Sequence, residues 1–210
     1  MPRAKRQRQK HKSQRSGAPG RLRIVAGNWR GRRLPVIEAD GLRPTPERVR
    51  ETLFNWLMLW LPGKRCLDLY AGTGALGIEA LSREARSCIF VEKNREVAAA
   101  LVSNLVTLDA CRGRVETADA HDALRRIDTG TIDLVFLDPP FREARLAELC
   151  RDIADSGILA ADARVYIEAP RDAPEISLPA GWSFTKSGTA GKVRYGIATV
   201  RDQDAGDKGE

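Results

Sequence analysis

The chain has 210 residues, 42% of them hydrophobic and 30% charged, a composition that argues against wholesale disorder and, at ~150 residues per domain, favours one domain with an appendage. No apolar run approaches the ~18–20 residues of a membrane span, and the basic N-terminus lacks the apolar stretch of a secretory signal. The net charge of +7 is unevenly placed: residues 1–37 hold twelve Lys and Arg and no Asp or Glu, whereas residues 38–210 hold 23 basic and 28 acidic residues, net −5.

A basic arm without acids is the usual footprint of a polyanion partner, most often nucleic acid. Cys66, Cys88, Cys111 and Cys150 lie at least 22 positions apart, no Cys-x-x-Cys pair occurs, and His11 and His121 are the two histidines. That arrangement gives no zinc signature and no metal site is expected. Cys66 and Cys88, inside apolar runs, read as buried free thiols of a protein in a reducing cytoplasm.

In chain order, residues 1–20 are polar and basic and are expected to be a disordered arm. Leu22, Ile24 and Ala26, a Gly27-Asn28 turn, then Leu34 and Val36 predict a short hairpin carrying Arg21, Arg23, Arg30, Arg32 and Arg33. A helix follows, with Thr45 expected to cap it and Pro46 to take its first position. Val49, Leu53, Trp56, Leu57 and Trp60 form its apolar face, Pro62-Gly63 ends it, and the apolar run around Leu57–Leu61 is expected to be core helix.

From residue 65 strands and helices alternate. The expected strands are Cys66–Tyr70, Ser87–Val91, Arg114–Thr117, Ile132–Leu137 and Ala163–Glu168, with Trp182–Lys186 and Tyr195–Arg201 as a closing antiparallel pair. Helices are expected through Ile78 and Leu81, through Val97, Leu101 and Leu105, near Ala123–Ile127 and over Arg142–Ile153. This alternation predicts a mostly parallel sheet covered on both faces, with residues 202–210 a polar tail. The expected organisation is an arm (1–20), an arginine-bearing hairpin and helix (21–62), a strand–helix domain (63–201) and the tail (202–210).

The first crossover carries Gly72, Gly74 and Gly77, a G-x-G-x-x-G pattern between strand and helix, and Glu92 ends the next strand 20 residues past Gly72. Taken alone this is a dinucleotide fingerprint. Asp68 stands four residues before Gly72, and no Lys or Arg lies between Tyr70 and Leu81. A pyrophosphate at the helix N-terminus is repelled by such a carboxylate, whereas a ligand with an amino group and a sulfonium tolerates it. The loop therefore favours S-adenosylmethionine over NAD, with Asp68 near the methionyl end and Glu92 on the ribose. The plainer alternative is that Asp68 caps the turn.

The fourth strand runs into Asp138-Pro139-Pro140-Phe141. The prolines stiffen the turn and donate no backbone hydrogen bonds, at the sheet edge where open α/β folds bind ligands. Asp138 and the Pro139 carbonyl present two acceptors, and Phe141 a flat face. Together these suit a planar base with an exocyclic amine.

That tetrapeptide resembles the D/N/S-P-P-Y/F/W motif of amino-group methyltransferases, and with Asp68–Gly74 and Glu92 the likeness spans their catalytic domain. The segment Gly41–Trp56 (GLRPTPERVRETLFNW), with Arg23–Gly27 before it and Lys192–Gly196 near the end, is similar to the D-type bacterial enzymes that methylate N2 of a guanine in 16S ribosomal RNA. The likeness covers about residues 21–200; the arm is unusually long for that family.

The resemblance implies a Rossmann-like class I methyltransferase fold with a seven-stranded, mostly parallel sheet and S-adenosylmethionine as donor, leaving S-adenosylhomocysteine. It also implies, as partner, 16S ribosomal RNA, the small ribosomal subunit or an assembly intermediate, and a monomeric enzyme. Asp138, Pro139, Pro140 and Phe141 would then be catalytic. Asp68, Tyr70, Ala71, Gly72, Thr73, Gly74, Glu92, Lys93, Asp119, Ala120 and Thr45 would hold the cofactor, and Arg21, Arg23, Arg30, Arg32, Arg33 and Arg43 the RNA. Read by itself, Asp119 caps a helix, and His121 has no evident partner. Methylation of adenine N6 or of a glutamine amide, a non-catalytic RNA-binding protein, and an NAD-dependent oxidoreductase stay open as alternatives.

Overall fold

A computed structural model of the chain describes residues 20–37, 45–140 and 145–200. The arm, Arg43, Phe141, the expected helix start at 142–144 and the tail lie outside these residues.

Strands β1 (Arg21–Arg23) and β2 (Arg33–Pro35) form the expected antiparallel hairpin, with Arg23 opposite Arg33. Helix α1 (Glu47–Leu57) follows. Then come β3 (Arg65–Asp68), α2 (Ala75–Ser82), β4 (Ser87–Val91), α3 (Arg95–Thr107), β5 (Gly113–Glu116), α4 (Ala120–Leu124), β6 (Ile132–Leu137), α5 (Leu146–Asp155), β7 (Leu159–Pro170), β8 (Trp182–Ala190) and β9 (Val193–Val200). The seven later strands make one sheet in the order β5-β4-β3-β6-β7-β9-β8, with β9 antiparallel to both neighbours. The β3–β6 pair is parallel, and the chain winds outward in opposite directions from it. Such a switch point opens a crevice beyond the carboxyl ends of the two strands, where open α/β sheets take ligands.

The two-residue period of the strands sorts side chains onto two cores. Cys66, Cys88, Phe90, Leu134, Phe136 and Tyr166 face the side covered by α1, α2 and α3. Their neighbours Leu67, Val91, Val135, Leu137, Val165 and Ile167 face α4 and α5. Leu22, Ile24, Leu34 and Val36 of the hairpin, with Val49, Leu53, Phe54 and Leu57 of α1, belong to the first core, so the N-terminal segment is packed onto the sheet.

The structure corrects four expectations in this segment. Pro46, not Thr45, occupies the cap position of α1, and no side chain caps that end, because the Thr45 hydroxyl donates elsewhere. The helix stops at Leu57 rather than at Pro62. Met58 and Leu59 are then exposed, Leu59 by 93%, so Leu57–Leu61 is not one core helix. Phe54 takes the buried place expected of Trp56, which lies part-buried against Tyr195 at a centroid distance of 5.6 Å. Trp60 is flanked by Lys64 and Arg164 at 4.8 and 4.3 Å.

A buried ion pair ties hairpin, α1 and α2 together. Glu79, 1% exposed, accepts from the Val25 and Ala26 amides (2.8 and 2.9 Å), from Arg50 Nη1 (3.2 Å) and from Arg83 Nε (2.8 Å). Arg50, 2% exposed, also donates from Nη2 to the Arg23 carbonyl (3.0 Å) and from Nε to the Thr45 carbonyl (3.2 Å). Each buried charge thus meets several partners, without which its desolvation would be strongly unfavourable. Gly27 closes the contact: its φ of +79° suits glycine, and a Cβ there would fall 2.0 Å from the Ser82 carbonyl oxygen.

Candidate functional site

The crevice beyond β3 and β6 is a cavity of about 1170 Å³. Thr45, Asp68, Tyr70, Ala71, Gly72, Thr73, Glu92, Lys93, Asp119, Ala120, Asp138, Pro139 and Pro140 all line it. These residues are spread over 96 positions of sequence and meet because strand ends, a glycine turn and two helix starts share one sheet edge. Gly74 stands behind the wall. Its φ of +75° makes it the left-handed residue before α2, and a Cβ there would come within 2.4 Å of Leu101 Cδ1. Gly77 completes the pattern by packing, since a Cβ would lie 2.2 Å from Phe90 Cε1 and 2.7 Å from Cys88 Sγ. Its third-glycine role is close helix–strand contact.

The carboxylates are individually placed. Asp68 is buried, and its Oδ2 accepts from the Gly77 amide at 2.9 Å. The turn-tying role is therefore real, while the residue also faces the cavity. Burial pushes its carboxyl up to about 7, against the Gly77 bond. Glu92 holds the glycine turn from the other side, accepting from the Gly72 amide (3.0 Å) and the Asn94 amide (2.7 Å). Asp119 caps α4 by accepting from the His121 amide at 3.0 Å. His121, expected to be alone, pairs through Nδ1 with Asp152 at 3.2 Å, both at the cavity wall. That partner comes from α5, too distant in sequence to be seen there.

Asp138 follows β6. Its Oδ2 accepts from the Thr45 hydroxyl at 3.2 Å, which is where the expected helix cap went. Burial pushes the Asp138 carboxyl up to about 6, and the Thr45 bond opposes that rise. A second acid, Glu168 near the end of β7, shares the cavity; it is 4% exposed and its Oε2 accepts from the Tyr166 hydroxyl at 2.8 Å. Burial, then the Asp138 charge, push Glu168 up to about 8, with the Tyr166 bond opposing. Sequence reasoning assigns Glu168 no role. The signal available was an acid at the carboxyl end of the strand beside that of Asp138. Arg50 and Glu79 were also missed, although Glu79 is the one charge in the buried α2 segment ALGIEALS.

The wall chemistry fits a nucleoside joined to an amino acid. Asp68, Glu92, Asp119, Asp138 and Glu168 all face the space, the glycine loop carries no cation of its own, and apolar Ala71, Val91 and Ala118 offer a surface for a base. The exposed hairpin face presents Arg21, Arg23, Arg30, Arg32 and Arg33. Arg23 meets Glu47 at 3.3 Å, and Arg32 donates to the Thr107 carbonyl at 2.7 Å. Among the described residues, no helix is long and apolar enough to cross a membrane.

Known proteins share this architecture. The family described as "Conserved hypothetical protein 95" matches residues 22–199. Ribosomal RNA small subunit methyltransferase D of Escherichia coli (strain K12) is 45% identical over 176 residues, 84% of this chain and 88% of that protein. The protein of the same name from Haemophilus influenzae is 42% identical over 187 residues, 88% and 96% of the two. The solved structure of Escherichia coli yhhF superposes with a TM-score of 0.81 at 41% identity, over 88% of this chain and all of that one. The fold is thus a methyltransferase fold, and the chain belongs to the family of ribosomal RNA small subunit methyltransferase D.

Proposed function

We propose that this protein transfers a methyl group from S-adenosylmethionine to the exocyclic N2 of a guanine in small-subunit ribosomal RNA. The observation that carries the reading is the shared cavity, with Asp138-Pro139-Pro140 on one rim and the glycine turn with Asp68 and Glu92 on the other. The names of the relatives, rRNA small subunit methyltransferases, point the same way. In this reading Glu92 holds the ribose hydroxyls, Asp119 and Ala120 flank the adenine, and Asp68 with the Tyr70–Gly74 turn and Lys93 encloses the methionyl part.

Bound there, the cofactor supplies a methyl on a sulfonium, already a good leaving group. The difficulty lies with the nucleophile, because the N2 lone pair is delocalised into the guanine ring. Asp138 and the Pro139 carbonyl accept the two N2 hydrogens, draw the amine towards tetrahedral and aim its lone pair along the transfer line. Phe141, outside the described residues, is assigned the stacking face from sequence. The chain's contribution is then mainly orientation, which can account for ~7–11 kcal/mol of barrier. Asp138 in its ionised form is the nearest acceptor for the proton released. The hairpin arginines and Arg43 meet phosphates, and the target base arrives unstacked, at a cost of a few kcal/mol unless it already lies in a loop.

The test is methylation of small ribosomal subunits from cells lacking the protein, with labelled donor and the modified base identified by mass spectrometry. N2-methylguanine is expected. N6-methyladenine would overturn the guanine assignment, and no incorporation the enzyme assignment. Asp138→Ala should lose turnover by far more than it loses S-adenosylhomocysteine affinity.

A further inference from the structure

Thr45 was expected either to cap α1 or to close over the cofactor. The geometry gives its two polar groups other work. Its hydroxyl donates to Asp138 Oδ2 at 3.2 Å, and its carbonyl accepts from Arg50 Nε at 3.2 Å. The same guanidinium holds the Arg23 carbonyl of the basic hairpin at 3.0 Å and Glu79 at 3.2 Å, and Glu79 in turn holds the hairpin amides of Val25 and Ala26. Thr45, Arg50 and Glu79 are all buried. One continuous set of hydrogen bonds therefore runs from the hairpin to the carboxylate assigned to the target amine.

We propose that Thr45 is a positioning residue for Asp138 and that Arg50 holds Thr45 in place, so that the RNA-facing hairpin and Asp138 keep one fixed relation. The inference rests on the reading of Asp138 as the group that holds the amine. With Oδ2 engaged by Thr45, the other oxygen is the one left to turn toward the substrate. A carboxylate can rotate about its χ angles at little cost, and a base presented by bound RNA needs that oxygen at a defined place relative to the hairpin. An arginine suits the junction because its rigid fork reaches three separate acceptors, which a lysine ammonium does not match in geometry.

The test compares Thr45→Val, Thr45→Ser, Arg50→Lys and Asp138→Ala on small ribosomal subunits, with S-adenosylhomocysteine binding measured in parallel. Removing a hydrogen bond to a charged group predicts a kcat loss of about tenfold or more for Thr45→Val, with S-adenosylhomocysteine affinity within about twofold of wild type. The Thr45 bond opposes the upward push on Asp138, so in Thr45→Val the acid limb of the kcat profile should move to higher pH. Asp68, Tyr166 and Glu168 also face Asp138, from β3 and β7, and stay unchanged in this comparison. Thr45→Ser should restore both kcat and the limb. Arg50→Lys should lower kcat in the same sense, and its loss should not add to that of Thr45→Val. Wild-type kcat and an unmoved limb in Thr45→Val overturn the proposal, as does a defect confined to cofactor affinity. Additive losses in the double variant overturn the part assigned to Arg50. If Asp138→Ala itself keeps wild-type turnover, the underlying reading of Asp138 has failed instead.

Discussion

Gly77→Ala isolates the packing that places the glycine turn. Gly77 lies inside α2 with a helical backbone, where alanine is ordinarily preferred by ~1 kcal/mol. A Cβ at this position, however, would stand 2.2 Å from Phe90 Cε1 and 2.7 Å from Cys88 Sγ, both fully buried on β4. Neither neighbour has open space to turn into, so α2 must lift from the sheet. Overpacking of this kind costs ~1–3 kcal/mol, and two simultaneous overlaps put it near the upper end. The net loss expected is about 2 kcal/mol, or a Tm fall of ~4–8 °C for a domain of this size. Because Gly72 and Thr73 lead directly into α2, S-adenosylhomocysteine affinity should fall as well. Thermal and urea melts read the first effect and calorimetry the second. Phe90→Leu in the Gly77→Ala background should cost less than Phe90→Leu alone, a non-additivity that contacting residues show. A Gly77→Ala protein as stable as wild type would refute the close helix–strand contact from which this magnitude is worked.

Burial pushes Glu168 up to about 8 and Asp68 up to about 7, from 4.5 and 3.8. Both raised groups stabilise the fold most below their unfolded values, and that stabilisation is lost as pH rises through about 7–8. Tm should therefore decline from pH 5 to pH 8.5, and Glu168→Gln, neutral at every pH, should flatten the decline; an equal slope in both proteins would reject the burial argument. Asp119→Ala removes the cap of α4 and should cost ~1 kcal/mol of stability, measured by urea melts. If Arg21, Arg23 and Arg33 meet phosphates, each substitution by Ala should flatten the salt dependence of RNA binding by ~0.7–0.9 log units, with cofactor affinity unchanged. Deleting residues 1–20 should act in the same direction, and an unaltered slope would make the arm a tail without RNA contacts.

The order of elements was legible because each signal is local. Short apolar runs mark Ser87–Val91 and Ile132–Leu137, which form β4 and β6 with those bounds. The glycine turn, the double proline and the hairpin are likewise fixed by backbone rules that act within a few residues. Part of the cavity wall, including the glycine turn, Glu92 and Asp138 with its two prolines, could be named in advance for the same reason: in a parallel sheet, the residues that follow each strand gather at one edge. What the sequence leaves open is which polar group answers which. Thr45 has the composition of a helix cap, yet its hydroxyl reaches Asp138, 93 positions away. His121 finds Asp152, Arg50 finds Glu79, and Glu168 shares a space with Asp138. Those pairings depend on which helix face lies over which strand, and hydrophobic periodicity sets the face only to within a turn. Local chemistry determined the fold and the residue types at its edge, while packing across the switch point decided how the carboxylates are partnered and how strongly they hold their protons.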